Sequence, residues 1–229
     1  MRLRLQKLEA AIVDLDGTMV DTLGDFAEAL NRMLQELRLK SISPSDIEPM
    51  VGRGSEHLIR CVLAHVGAGT DLYVGTDLYD AAWASYQRHY LAINGQHSAV
   101  YAGVHEGLRV LKGAGLRLAC LTNKPRAFAL PLLEAKGLAS FFDVVFGGDD
   151  FERKKPHPLP LLKACEALRS APAHTLMIGD SSNDAQAARA AGCPVVLVTY
   201  GYNHGEPVRA VDADGFLESL DQVGRLLPA

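Results

Sequence analysis

The sequence predicts an α/β protein: a doubly wound parallel sheet, Rossmann-like, with an all-helical segment inserted after its first strand. Three observations carry this prediction. Ala10–Val13 is a short apolar run that ends abruptly in carboxylates, as a buried strand would. Residues 20–98 show helical periodicity alone. From residue 101 onward, strand-like and helix-like stretches alternate, which indicates right-handed βαβ units and therefore parallel strands.

The segment at 20–98 follows the first strand and is expected to contain no strand. Its apolar residues recur at the spacing of one helix face. Thr22 is placed to cap the first helix, and Ser43 and Pro44 are the expected N-cap and first-turn residues of the second. A loop rich in glycine and threonine at 67–75 precedes the last helix. The predicted helices cover 23–37, a short stretch from 44, 58–63 and 78–90.

Beyond residue 99 short β-branched runs predict strands, and longer stretches with apolar residues three and four apart predict helices. The predicted strands cover 116–121, 144–146, 175–178 and 195–198. The predicted helices cover 105–113, 128–136, 159–168 and 184–191. The first strand belongs with these elements. Residues 1–19 and 99–229 are therefore predicted to form the core domain, and residues 20–98 a helical cap domain inserted into it.

Composition limits the functions open to the chain. Its 229 residues, 48% apolar and 22% charged, are enough to bury most of the surface that the unfolded chain exposes. The net charge of −4, without a basic stripe, argues against nucleic acid and anionic membranes as partners. Four widely spaced cysteines without a CxxC favour buried thiols in a reducing compartment. We therefore expect a cytoplasmic protein that acts on a small molecule. Its oligomeric state does not follow from composition, and a monomer or a homodimer is expected.

Polar side chains follow the predicted strands at the point where each strand ends. The carboxyl ends of parallel strands meet at one edge, where open α/β sheets bind ligands, so these side chains are expected to share a crevice. Carboxylates gathered there repel each other by about 4 kcal/mol per pair at ~4 Å and an effective dielectric of 20. Oxygen ligands favour a hard cation, Mg²⁺ before Ca²⁺. The residues concerned are Asp14, Asp16, Thr122, Lys155, Asp180 and Asp184.

The same crevice offers hydrogen-bond donors to a tetrahedral anion. Thr122, Lys155 and the backbone N–H groups near Gly17 and Asn123 could bind phosphate oxygens. A phosphoryl group that bridges the cation and these donors would satisfy both sets. Taken singly, each of these short stretches is as readily a structural turn. Together they predict a site for a phosphorylated ligand.

Four stretches, in this order and spacing, resemble the motifs of the haloacid dehalogenase superfamily of aspartate-nucleophile phosphatases. They are DLDGT at 14–18, TN at 122–123, KP at 155–156 and GDSSND at 179–184. The resemblance covers essentially the whole chain. It implies a phosphatase that works through an aspartyl-phosphate and requires Mg²⁺. The second acid of DLDGT, which the dehalogenating members lack, favours phosphoryl chemistry.

The resemblance also implies roles for individual residues. Asp14 would be the nucleophile, and Asp16 the acid that protonates the leaving oxygen and then, as a base, activates water. Thr122 and Lys155 would orient the phosphate. The implied metal ligands are Asp14, the carbonyl group of Asp16 and Asp180, with Asp184 as a supporting acid.

Longer stretches resemble the bacterial phosphoglycolate phosphatases within that superfamily. They are VGRG at 51–54, TNKP at 122–125, GGDD at 147–150 with KKPHP at 154–158, GDSSNDAQAARAAGCP at 179–194 and TYGYNHGEP at 199–207. This resemblance implies hydrolysis of 2-phosphoglycolate, a small phosphorylated carboxylate. The cap stretch 66–77 departs from the pattern, and cap residues decide which substrate fits.

Arg53, between two glycines at a helix start, is the cap residue best suited to bind a small carboxylate, although a solvated turn explains it equally well. Asn123 and Lys124 are further substrate-binding candidates. Three alternatives stay open: the same chemistry on a sugar phosphate or pyrophosphate, a β-phosphoglucomutase, and a non-catalytic phospho-ligand binder. A mutase must keep water away from its aspartyl-phosphate, and the complete set of acids argues against a mere binder.

Overall fold

A computed structural model describes residues 8–68 and 75–227. The strands are β1 (Ala10–Val13), β2 (Val20–Asp21), β3 (Ala99–Val100), β4 (Arg117–Leu121), β5 (Val144–Phe146), β6 (Thr175–Gly179), β7 (Val195–Val198) and β8 (Gly215–Leu217). The α-helices are α1 (Leu23–Glu36), α2 (Pro44–Ile47), α3 (Ser55–His65), α4 (Thr76–Ile93), α5 (Val104–Gly113), α6 (Arg126–Ala135), α7 (Leu159–Ala167) and α8 (Ser182–Ala191).

Six strands form one parallel sheet in the order β5–β4–β1–β6–β7–β8. Both of its faces are covered. In β1, Ala11 and Val13 pack in one apolar cluster with α5 and α6, and Ala10 and Ile12 pack in another with α7 and α8. A strand buried on both sides is apolar throughout, which is why β1 is recognisable in the sequence. The predicted doubly wound sheet is confirmed.

The register of the central strands positions the functional residues. Val13, the last residue of β1, lies opposite Cys120 of β4 and Ile178 of β6. Asp14 therefore leaves the sheet level with the ends of both neighbours, and its backbone N–H donates to the Ile178 carbonyl at 2.9 Å. The carboxyl ends of three adjacent strands meet at this point.

Helices α1 to α4 form the cap around an apolar cluster of their own. Large aromatic side chains from α1 and α4, including Phe26, Tyr86 and Tyr90, are buried in it. The core contributes Phe128 of α6, whose ring centroid lies 4.8 Å from that of Tyr90, and Tyr202 from the loop after β7. The cap therefore packs against the core through shared aromatic contacts.

Most predicted helices and strands match the structure to within a few residues, and Ser43 caps α2 as expected. The expectation that 20–98 contains no strand is wrong at Val20–Asp21, which pairs antiparallel with Ala99–Val100. These strands are two residues long, too short to show a periodicity. The edge strand β8 was also missed, because its three residues, Gly-Phe-Leu, lack the β-branched run that identified the equally short β5. The predicted loop at 67–75 lies mostly outside the described residues, since 69–74 are not among them.

Two smaller expectations need correction. Thr22 does occupy the N-cap position of α1, but its side chain does not cap the helix; its hydroxyl donates to Asp16 at 2.8 Å. Among the cysteines, Cys120, Cys165 and Cys193 are buried thiols as predicted, whereas Cys61 is partly exposed. In the described ranges, no helix combines the length and the apolar character needed to span a bilayer.

Candidate active site

Asp14 lies in a buried position directly after β1, with only 12% of its side chain exposed. One carboxylate oxygen, Oδ1, accepts from the backbone N–H of Leu15 at 2.8 Å and lies 2.9 Å from the ammonium nitrogen of Lys155. Burial raises the pKa of Asp14 to about 7, against the opposing charge of Lys155. The carboxylate therefore depends on nearby positive charge to stay ionised.

Lys155 supplies part of that charge from beneath the site. Its Nζ donates to Asp184 at 2.7 Å and to the Leu121 carbonyl at 3.0 Å, besides contacting Asp14. Its backbone is held at both ends by the side-chain amide of Asn123, with bonds of 2.9 and 3.0 Å. Burial alone would lower the pKa of Lys155, but the charges of Asp14 and Asp184 outweigh it and raise the pKa. Lys155 is therefore a fixed cation.

Three buried carboxylates, those of Asp14, Asp180 and Asp184, each place an oxygen within 4.8 Å of the others. Asp180 is held by the backbone N–H of Tyr202 at 2.8 Å and the hydroxyl of Thr18 at 3.3 Å. Burial, reinforced by the charges of Asp184 and Asp14, raises the pKa of Asp180 well above its usual range. One ammonium does not balance three acids. An oxygen-only donor set with excess negative charge fits Mg²⁺.

Asp184 lies in the first turn of α8, and both of its carboxylate oxygens accept hydrogen bonds. Its Oδ1 pairs with Lys155, and its Oδ2 accepts from the hydroxyl and N–H of Ser181 and from the N–H of Asp180. The bond from the Ser181 N–H belongs to the capping box of the helix. A side chain at Gly179 would overlap the Asp184 carboxyl group, so the close approach requires glycine. Asp184 therefore holds Lys155 and the start of α8 in place, and its supporting role in the reaction stays a prediction.

The carboxylate of Asp16 points away from the acid cluster and toward the cap. The ammonium nitrogen of Lys124 lies 2.9 and 3.1 Å from its two oxygens, and Thr22 donates to Oδ1. The Lys124 side chain is only 1% exposed, and its Nζ lies 4.4 Å from the centroid of the Phe26 ring and 4.8 Å from that of Tyr90. Lys124, a predicted substrate-binding residue, thus pairs with Asp16 in the structure.

The residues at the end of β4 complete the core side of the site. Thr122 is buried, and its hydroxyl oxygen accepts from the N–H of Lys124 at 3.1 Å, which leaves its O–H able to donate. Asn123 is buried as well, and its amide bonds to Lys155 are already described. The predicted pair of Thr122 and Lys155 therefore flanks Asp14 from two different elements.

A cavity that opens to solvent lies between the core and the cap. Its lining consists of Asp14, Asp16, Thr122, Asn123 and Lys124 from the core and Phe26, Val51, Gly52, Gly54, Ser55 and Leu58 from the cap. Sequence reasoning did not identify Phe26, Ser55 and Leu58 as cavity residues. Phe26 and Leu58 follow the apolar periodicity of their helices, so their spacing indicated only core packing.

Arg53 is exposed, and the cavity lining includes its two glycine neighbours rather than its own side chain. The Arg53 charge acts on His204 instead. Burial is the main cause that lowers the pKa of His204, and the charge of Arg53 lowers it further. The predicted contact between Arg53 and a substrate stays a prediction that this arrangement does not support.

Comparisons with known proteins agree with this geometry. The family model described as haloacid dehalogenase-like hydrolase matches residues 11–198. The chain belongs to this family. The phosphoglycolate phosphatases of Thiobacillus denitrificans and Nitrosospira multiformis are each 43% identical to it over 220 residues, which is 96% of both chains. The crystal structure of a predicted phosphoglycolate phosphatase from Haemophilus somnus superposes with a TM-score of 0.89 at 30% identity, covering 94% of this chain and 96% of that one.

As a haloacid dehalogenase-like hydrolase, the protein is an enzyme that acts on phosphoesters, as the motifs predicted. The resemblance to the phosphoglycolate phosphatases is confirmed over nearly the whole chain. The structure brings Asp14, Thr122, Lys155, Asp180 and Asp184 together at the carboxyl ends of the strands, with Asp16 two residues beyond Asp14. The family's core motifs therefore occupy one continuous site here.

Proposed function

We propose that the protein hydrolyses 2-phosphoglycolate to glycolate and phosphate through an aspartyl-phosphate on Asp14, with Mg²⁺ held by Asp14, Asp180 and the Asp16 carbonyl. The observation that supports this best is the setting of Asp14, a buried carboxylate in contact with a fixed ammonium, facing a small cavity. Asp16 faces the same cavity.

In the first step an Asp14 oxygen attacks phosphorus, and the bond between phosphorus and the ester oxygen breaks. Both donors described above contact Oδ1, so Oδ2 is the oxygen we assign to the attack. The bonding electron pair passes to the ester oxygen, which takes a proton from Asp16 and leaves as the glycolate hydroxyl group. Lys155 and the Thr122 hydroxyl offset the charge on the phosphoryl oxygens.

In the second step water attacks the phosphorus of the aspartyl-phosphate and gives its proton to Asp16. The bond between phosphorus and Asp14 breaks, which restores the carboxylate and releases phosphate. When bound, Mg²⁺ supplies Lewis-acid stabilisation and reduces the repulsion between the anionic nucleophile and the anionic substrate. Asp16 serves as acid and then as base, so the enzyme returns to its starting protonation state.

The choice of substrate is supported by the phosphoglycolate phosphatase relatives. The N-terminal end of α3, at Ser55, lies on the cavity wall and favours an anionic leaving group. We retain the predictions of a cytoplasmic monomer or homodimer without a nucleic-acid or membrane partner.

A panel of phosphoesters, assayed with and without chelator, tests the proposal. We expect kcat/KM to be highest for 2-phosphoglycolate, activity to disappear with EDTA and return with Mg²⁺, and acid-quenched turnover to yield a peptide phosphorylated at Asp14. A higher kcat/KM for a sugar phosphate or pyrophosphate would identify that compound, rather than 2-phosphoglycolate, as the preferred substrate. Formation of glucose 6-phosphate from glucose 1-phosphate in a linked assay would indicate a mutase. Absence of phosphate release from every ester, p-nitrophenyl phosphate included, would indicate a binding protein.

A further inference from the structure

Gly52 of the cap contacts three separate parts of the core. Its carbonyl oxygen accepts from the side-chain amide of Asn123 at 2.9 Å and from that of Asn183 at 3.1 Å. Its φ is +110°, and a Cβ there would lie 2.7 Å from Cε1 of the His204 ring. The cap thus meets the end of β4, the start of α8 and the loop after β7 through one residue.

The two amides differ in what else holds them. Asn123 is bonded to the backbone of Lys155 on both sides, so its position is fixed within the core whatever the cap does. Asn183 is 5% exposed and occupies the first turn of α8, and its amide nitrogen donates across the interface to Gly52. Asn183 therefore acts as a link between the acid cluster's helix and the cap.

This link sets one wall of the cavity. Gly54, with φ of +89°, follows Gly52 by two residues, and a Cβ there would lie 3.0 Å from the Asn123 carbonyl. Helix α3 begins immediately afterwards, and its residues Ser55 and Leu58 face the cavity. The position of Gly52 against the core consequently fixes how much space remains opposite Asp14.

We propose that Asn183 is a positioning residue that determines substrate size, because its amide holds the Gly52 carbonyl and so keeps the cap wall close to Asp14. A small leaving group then fits in the cavity and packs against the cap wall. A bulky leaving group fits only if the cap wall moves away from Asp14. The inference rests on the proposed phosphatase function, and it uses no contact between Asn183 and the substrate.

The test compares Asn183→Ala with the wild-type enzyme on 2-phosphoglycolate and on the bulkier p-nitrophenyl phosphate. Loss of one neutral hydrogen bond is expected to raise KM for 2-phosphoglycolate about threefold to tenfold. The kcat/KM for p-nitrophenyl phosphate is expected to stay level or rise, so the ratio of kcat/KM for 2-phosphoglycolate to that for p-nitrophenyl phosphate falls at least about threefold. Asn183→Ser, which keeps a shorter donor, is expected to lie between the two.

Asn94→Ala is the matched control. Its amide also donates to a backbone carbonyl across the interface, that of Phe128 at 2.8 Å, but Asn94 does not line the cavity. We expect Asn94→Ala to leave the ratio within about twofold of the wild-type value. A similar fall in the ratio for both variants would overturn the role of Asn183.

The remaining outcomes are also decisive. The inference fails if Asn183→Ala leaves the ratio unchanged. It also fails if the change lowers kcat/KM for both substrates equally and lowers the melting temperature, because the residue is then structural. If the wild-type enzyme prefers another small phosphoester, the proposed substrate fails, but the ratio between that ester and p-nitrophenyl phosphate still tests Asn183. If it hydrolyses no phosphoester, both proposals fail together.

Discussion

The two sides of the cavity are built differently. On the core side, charged side chains such as Asp14 and Asp180 project from strand ends, and each is fixed by backbone N–H groups or an ammonium. On the cap side, Gly52, Gly54 and Leu58 present backbone and apolar surface. The core therefore supplies the charged groups and holds them in place, and the cap determines the shape of the cavity. The chemistry should be sensitive to single charge changes, whereas the substrate range should follow from the packing of the cap.

The largest effect is expected on the core side, from Asp14→Asn. An amide is not a nucleophile, so kcat should fall at least about a thousandfold. The melting temperature should not fall, because the change removes a buried charge from a crowded acid cluster. Steady-state phosphate release and thermal unfolding of the same preparation check both expectations. Substantial residual turnover would end the aspartyl-phosphate proposal.

Lys155→Met should affect catalysis and stability together. It leaves Asp14 and Asp184 buried without their counter-charge, which is expected to cost about 3 to 5 kcal/mol in the free energy of unfolding. The kcat should fall about a hundredfold. Urea unfolding measures the first effect.

Lys112→Met is the control for that change. Lys112 of α5 also pairs with an aspartate at 2.9 Å, Asp143, but this pair is partly exposed. Asp143 directly precedes β5, so the pair lies at the amino ends of the strands, opposite the acid cluster. Its loss should cost less than about 1 kcal/mol. Equal destabilisation by the two variants would contradict the account of Lys155 as a buried counter-charge.

The acid cluster also predicts a pH dependence for the metal-free protein. The pKa of Asp14 is raised from 3.8 to about 7 by burial, so the folded state keeps a proton that the unfolded state has lost. In EDTA, stability should therefore fall as the pH rises from about 4 through 7. Added Mg²⁺ should raise the melting temperature more at pH 8 than at pH 5. An effect of Mg²⁺ that is independent of pH would contradict this expectation.

Lys124 lies where the two sides meet, so Lys124→Met sharpens the comparison. The change removes the ammonium that orients Asp16, and kcat is expected to fall about tenfold. KM should change less than about threefold, because the ammonium is already paired with Asp16. A large rise in KM with unchanged kcat would show that Lys124 binds the substrate directly, as the sequence suggested.

The smallest effect is expected from Arg53→Ala. The side chain is exposed in the structure, so KM for 2-phosphoglycolate should change less than about twofold. A tenfold rise, which the sequence alone suggested, would mean that the guanidinium reaches the bound carboxylate. Measurement of KM over a range of salt concentrations would separate direct contact from long-range attraction.

The sequence predicted the core side of the cavity better than the cap side. Asp14 and Asp180 could be placed because each follows a strand that is buried on both faces, and parallel strands bring their ends together. The partner of Asp16 could not be predicted, because Lys124 lies 108 residues away and its orientation depends on the rings of Phe26 and Tyr90.

The cap wall was harder still to predict. Gly52 and Gly54 flank Arg53, and the pattern drew attention to the charged residue between them. The structure instead uses the glycines, since their lack of a side chain allows the chain to lie against His204 and Asn123. The close approach of these glycines to the core depends on segments that are distant in sequence, so no local periodicity could predict it.

The short antiparallel pair of β2 and β3 has a consequence for how this enzyme can diversify. The chain leaves the core at Val20–Asp21 and returns at Ala99–Val100, and these four residues are direct neighbours. Both ends of the helical insertion are thus anchored at one shared point. Sequence and length can drift between them without altering the register of the parallel strands, so new specificities can be grafted onto an unchanged reaction centre.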